Sequence, residues 1–169
     1  KTQRIKSLQD AGESFKPTDI QRDVDVVLRG REMRENLAFL HNLGVQAQYS
    51  AVDVRDGQSI GKVIQEASAK LGPVRGIVHG AGVIADKLID EKTVEQFDFV
   101  FGTKVEGLQN LLVSTDISTL KLLAVFSSVA GRYGNKGQVD YSMANEAITH
   151  IVHQHAGNPG LSTKAFHWG

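Results

Sequence analysis

The sequence predicts an α/β domain built on a parallel sheet. Three observations carry that expectation. Short apolar runs of strand length alternate with amphipathic stretches of helix length, the pattern of βαβ units with right-handed crossovers. Two runs, RGIVHGAG and LKLLAVFSS, are apolar without polar alternation, as strands covered on both faces are. Glycine or Gly-Pro pairs stand where the amphipathic stretches end, at Gly44 and at Gly72-Pro73.

Taken in order, residues 1–30 form a polar leading segment expected to be helical, with Lys16-Pro17-Thr18-Asp19 as its clear break. Ile20, Val24, Val27 and Leu28 fit helical spacing, although Val24, Val26 and Leu28 also alternate as a strand does. The remainder, 31–169, is expected to be one domain. Met33, Leu37, Leu40 and Leu43 make a helical stripe that Gly44 ends, and VQAQYSAVDV (45–54) reads as a strand. Ile60, Val63, Ile64, Ala67 and Leu71 mark a second amphipathic helix, followed by the RGIVHGAG strand at 75–82. A third helix runs from about Val94 to Leu112, and LKLLAVFSS (120–128) is a buried strand. Residues 129–140 read as a glycine-punctuated loop, Tyr141 to about His155 as a helix, and STKAFHW (162–168) as a last short strand.

Composition narrows the function. The 169 residues suffice for one domain with a sizeable core. Lysine plus arginine and aspartate plus glutamate each total 19, so the net charge is zero and no field favours nucleic acid or an anionic membrane. Hydrophobic residues at 41% and charged residues at 22% exclude the signature of disorder. With no cysteine there is no disulfide framework, thiolate zinc site or thiol nucleophile, which fits a reducing compartment. The longest apolar runs are only a few residues, too short for a membrane span or a signal-peptide core. The expected protein is soluble and cytoplasmic.

In open parallel sheets ligands bind at the carboxyl ends of the strands. Those ends carry Asp53-Val54, His79-Gly80-Ala81-Gly82 and Ser127-Ser128. Gly80 and Gly82 let backbone approach a flat ligand or a phosphate, or simply serve a turn. Lys104 shares a helical stripe with Phe97, Phe101, Leu108 and Leu111, which turns its ammonium toward the core, where it needs a partner unless its stem snorkels to water. Tyr141 and Asn145 are four residues apart and share a helix face. A phenol beside an ammonium becomes a usable proton donor at neutral pH.

The order Lys104, Ser128 in FSSVAGRYGNKGQ, then Tyr141 and Asn145 in YSMANE resembles the ketoreductase domains of polyketide and polyunsaturated-fatty-acid-type synthases. These are short-chain dehydrogenase/reductases with a Rossmann-like, doubly wound parallel sheet. The resemblance runs from about Arg31 to Gly169, through VDVRD, GIVHGAGVIADKLI, FGTKVEGLQNLL and AFHWG. It implies hydride transfer from NADPH to the β-carbon of a β-ketoacyl thioester carried on an acyl carrier protein. In that chemistry Tyr141 is the general acid and Ser128 hydrogen-bonds the carbonyl oxygen. Lys104 lowers the tyrosine pKa and relays the proton, and Asn145 holds the relay. Asp53 and the Val54 amide are implied to meet the adenine, and Gly80, Ala81 and Gly82 to border the cofactor. Asp86, shortly after the glycines, occupies the place of a subclass-marking aspartate, with Ala85 where a second one often stands. Tyr133 replaces the tryptophan that marks the opposite subclass eight residues before the tyrosine.

Three features are set aside. Gly131, Gly134 and Gly137 shape a loop rather than hold a pyrophosphate. His150, His153 and His155 mark a solvated helix end, and no metal is expected. Trp168 is expected in packing. No glycine fingerprint precedes the first expected strand, so the first βαβ unit is lacking from the sequence. In the strand order 3-2-1-4-5-6 that leaves a gap beside the VDV strand. The chain is therefore expected to be part of a larger multidomain synthase. The alternative is a non-catalytic, structural reductase-like subdomain.

Overall fold

The computed structural model describes residues 17–169, so the polar stretch before Pro17 lies outside the described residues. The chain divides into two compact units, Lys1–Ser50 and Ala51–Gly169.

The first unit contributes α1 (Pro17–Asn42), one uninterrupted helix. Residues 20–28, compatible with helix or strand by spacing, are helical and continuous with the stripe from Met33 to Leu40. Proline at the first helical position fits, because the missing N–H is one that a helix start leaves unpaired. Gly44 adopts φ 77°, its N–H donates to His41 O, and the Val45 N–H reaches back to Leu40 O. Those two bonds close the helix with a Schellman motif, which requires the left-handed conformation that glycine takes without strain.

The stretch 45–54 is not a strand. A strand needs a ladder partner for its N–H and C=O groups, and none of the described strands lies alongside it. Val45, Tyr49 and Val52 are correspondingly exposed.

In the second unit, α2 (Gly57–Leu71) starts where the Asp56 carboxylate accepts the Gln58 and Ser59 amides, each at 3.1 Å. Strand β1 (Gly76–His79) leads into α3 (Val94–Val113), which opens on a capping box between Thr93 and Gln96. Strand β2 (Leu122–Ser128) follows, then a short helix inside the expected glycine-rich loop and the helix expected from Tyr141 onward. These are a short α4 (Val129–Tyr133), capped by Ser128, and α5 (Val139–Gln154). The chain ends in β3 (Ser162–Trp168). The sheet order is β1-β2-β3, all parallel, with Ile77 opposite Leu123 and Val125 opposite Ala165. Apolar residues from the sheet (Leu123, Val125), α3 (Leu108, Leu112) and α5 (Ile148, Val152) form the core between sheet and helices. This is the α/β arrangement expected of a partial Rossmann-like sheet. Among the described residues, no helix is long and apolar enough to cross a membrane.

Candidate active site

The carboxyl ends of β1 and β2 open onto a cleft of about 460 Å³, bordered by Gly80, Gly82, Lys104, Ser127, Tyr141 and Trp168. Lys104 is its electrostatic centre. The side chain is 4% exposed, and its Nζ donates to Phe126 O at 2.9 Å. Among the described residues no carboxylate faces it, and burial lowers its pKa to about 8. The carbonyl of the same residue accepts from His79 Nε2 at 2.9 Å. A carbonyl oxygen can only accept, so the His79 proton sits on Nε2. Burial pushes His79 below its usual range and keeps it neutral. Lys104 is therefore held by β1 through its backbone and by β2 through its ammonium, and does not snorkel. Gly82 lies against the lysine stem: a Cβ there would meet Lys104 Cε at 3.1 Å.

Tyr141 stands on the first turn of α5, and Lys104 Nζ lies 5.7 Å from its ring centroid. Asn145, fully buried, donates from Nδ2 to Tyr141 O at 2.8 Å, while its Oδ1 is buried without a partner. Successive side chains of a strand point to opposite faces, and this separates the two serines of β2. Ser127 faces α5, where its Oγ donates to Asn145 O at 3.1 Å and meets Thr149 Oγ1 at 3.1 Å. Ser128 caps α4, accepting the Ala130 amide at 3.1 Å. Its own proton is left to donate, but Ser127 rather than Ser128 borders the cleft.

The remaining expected positions are spread over the unit. Gly80 and Gly82 border the cleft. Ala81, between them, is partly buried. Asp53 is about half exposed and is bound by Arg55, whose Nη2 lies 2.6 Å from its Oδ2. That pairing lowers the Asp53 pKa to about 2. Arg55, which sequence reasoning missed, lies over the Phe99 ring at 4.9 Å. The Val54 carbonyl accepts from Asn110 Nδ2 at 2.9 Å. Asp86 is exposed and accepts from Gln138 Nε2 at 2.8 Å. Trp168, expected in packing, is 68% exposed and borders the cleft, with Phe126 edge-on at 6.2 Å. It is the last residue of β3, which among the described residues pairs only with β2. His150 is exposed and pairs with Glu146 at 3.2 Å.

Of the three set-aside glycines, Gly131 sits inside α4, and a Cβ there would lie 3.1 Å from both Asn145 Cβ and the Glu146 amide nitrogen. Backbone cannot swing away as a side chain can. Gly131→Ala is therefore expected to push α4 off α5 and destabilise the fold by about 1–3 kcal/mol, read as a lowered Tm. An unchanged Tm would show that α4 is free to move.

The KR domain family model matches residues 23–169. The chain is 46% identical over 171 residues to a polyunsaturated fatty acid synthase polypeptide of Thraustochytrium sp. (strain ATCC 26185 / S-3), covering 99% of this chain and 6% of that protein. It is 38% identical over 128 residues to "Polyketide synthase PksL" of Bacillus subtilis (strain 168), covering 73% of this chain and 3% of that protein. It thus spans a small part of the length of these relatives. Two solved structures superpose well. An N-terminal ketoreductase from the macrolactin assembly line gives a TM-score of 0.73 at 30% identity, over 79% of this chain and 28% of that one. A ketoreductase domain from the bacillaene assembly line gives 0.72 at 32%, over 81% and 34%.

Proposed function

The chain belongs to the KR domain family, and from that premise we propose that it carries the catalytic part of an NADPH-dependent β-ketoacyl reductase within a multidomain synthase. The substrate is a β-ketoacyl thioester tethered to an acyl carrier protein, and the product is the β-hydroxyacyl thioester. Residues 31–169 form the reductase portion, and residues 1–30 lead into it. The partners are the carrier protein and the neighbouring synthase domains.

One observation carries the proposal. A buried lysine ammonium and a tyrosine ring, 5.7 Å apart, meet in a cleft floored by glycines at the ends of parallel strands.

The chain's own residues fit the nicotinamide end of the cofactor. An ammonium has three donors, and Lys104 uses one of them on Phe126 O, so the others are available to a bound ring or ribose. Gly80 and Gly82 leave the cleft wall without side chains. At the far end, the Asp53 carboxylate is fixed in direction by Arg55 and keeps lone pairs for an adenine amino group. When bound, the cofactor supplies the hydride.

Everything else falls to the protein. Tyr141 gives its proton to the alkoxide oxygen, and the Lys104 ammonium stabilises the phenolate left behind. Ser128, next to the cleft-lining Ser127, keeps its proton free, and in this reading it donates that proton to the carbonyl oxygen where negative charge develops. Asn145 holds the Tyr141 turn of α5 and offers Oδ1 to the proton path. Asp86, held by Gln138, lies on the substrate side and influences the configuration of the new hydroxyl.

The test follows NADPH absorbance in the intact native polypeptide with a small β-ketoacyl thioester, and with NADH in parallel. Substrate-dependent oxidation of NADPH in preference to NADH is expected. If neither binding nor oxidation is found, the chain is a structural subdomain that retains the fold without the activity.

A further inference from the structure

Lys92 and Asp140 are 48 positions apart in sequence and form an ion pair of 2.7 Å whose side chains are only 3% and 1% exposed. Burying two charges is unfavourable unless their remaining hydrogen-bonding groups are also engaged, and such a pair is weak as a source of stability. Here those groups are engaged on both sides. Lys92 Nζ also donates to Ala85 O at 2.6 Å, and Asp140 Oδ1 accepts the Tyr141 amide at 2.9 Å.

The last bond serves an amide that the start of α5, like any helix start, leaves without a partner inside the helix. The N-cap residue Gln138 makes no side-chain bond to the helix. The Ser142 amide closes the first turn on Gln138 O at 2.8 Å, while the carbonyl of Gly137, just before the helix, accepts the Lys87 amide at 2.9 Å. Asp140 thus holds the Tyr141 amide in the opening turn of α5, and that turn is tied to residues 85–92 at two points. The same loop contains Gly82, which lies against Lys104.

We infer that the Lys92–Asp140 ion pair is a positioning device that sets Tyr141 against Lys104 by locking the opening turn of α5 to the loop after β1. It rests on the proposed reductase function. Neither residue touches substrate or cofactor; both act through Tyr141. The exposed Asp86–Gln138 contact is a third tie between the same segments, but water competes for it.

The test uses the intact native polypeptide with Lys92→Met, Lys92→Arg and Asp140→Asn. Wild type is assayed first, and a lack of NADPH oxidation there overturns the reductase proposal alone. Hydrogen exchange at the Tyr141 and Lys87 amides then judges the clamp whether or not the protein is active. Faster exchange at both in Lys92→Met, with Lys92→Arg close to wild type, is the expected result. In active enzyme, Lys92→Met is expected to lower kcat by on the order of tenfold to a hundredfold with KM within about twofold, because misplacing a reacting group costs rate rather than binding. Asp140→Asn keeps an acceptor for the Tyr141 amide and loses the charge, so it supplies the same readouts if Lys92→Met fails to fold. Wild-type exchange at both amides, or an unchanged kcat in a folded variant, overturns the inference.

Discussion

Tyr141→Phe is expected to lower kcat for thioester reduction by roughly 10²–10⁴-fold, the usual worth of a general acid. The substitution removes one oxygen and keeps the ring beside Lys104. The Asn145 bond to this residue goes to its backbone carbonyl, and the Asp140 bond to its amide, so both survive. Among the described residues the phenol oxygen has no hydrogen-bond partner to lose, so Tm is expected to stay within a degree or two of wild type. Cofactor binding is expected to persist. It can be followed through Trp168, the sole tryptophan, which borders the cleft. A variant that retains a tenth or more of the activity would remove Tyr141 from the proton-donor role.

Lys104→Met is expected to abolish most activity while making the protein more stable. The ammonium is buried with no carboxylate partner among the described residues, and burial draws its pKa down from the usual 10.5 to about 8. The sign follows from linkage. Above about pH 8 the native state gives up a proton that the unfolded chain retains until about 10.5, so stability rises with pH across that window. Below it the full penalty of a buried charge remains, on the order of 2–3 kcal/mol. Methionine fills the same space without charge but leaves Phe126 O unpaired, which returns about 1 kcal/mol. A net gain of about 1–2 kcal/mol at pH 7 corresponds to a Tm higher by roughly 2–6 °C, shrinking toward pH 10. A Tm that falls at pH 7 would mean that the lysine holds the fold together rather than serving the site at the fold's expense.

Periodicity and caps made the second unit legible. The third helix, the LKLLAVFSS strand and the final strand begin and end within a residue or two of expectation. The burial of Lys104 was readable because Leu108 and Phe101 share its stripe. Three features were not readable, each for a physical reason. The five residues of α4 are too few for a period to show, and glycines on either side of Arg132 and Tyr133 imitate a loop. The 45–54 segment has strand composition, but a strand exists only with a partner, and composition cannot supply one. The Lys92–Asp140 pair joins residues that look like solvated charges until the chain folds, because pairing across such a separation leaves no local mark. The exposure of Trp168 was hidden in the same way, because it depends on what surrounds the end of β3, whereas the Arg55 grip on Asp53 spans only two residues and was missed although both stand in VDVRD.

The most direct test of the central claim is the fate of the hydride. The intact native polypeptide is given NADPH deuterated at C4 of the nicotinamide with a β-ketoacyl thioester, and the product is analysed by mass spectrometry. One deuterium at the β-carbon of the hydroxyacyl product is expected from wild type, and none within the same time from Tyr141→Phe. Hydroxyacyl product without deuterium, or equal incorporation by the two proteins, would contradict the assignment.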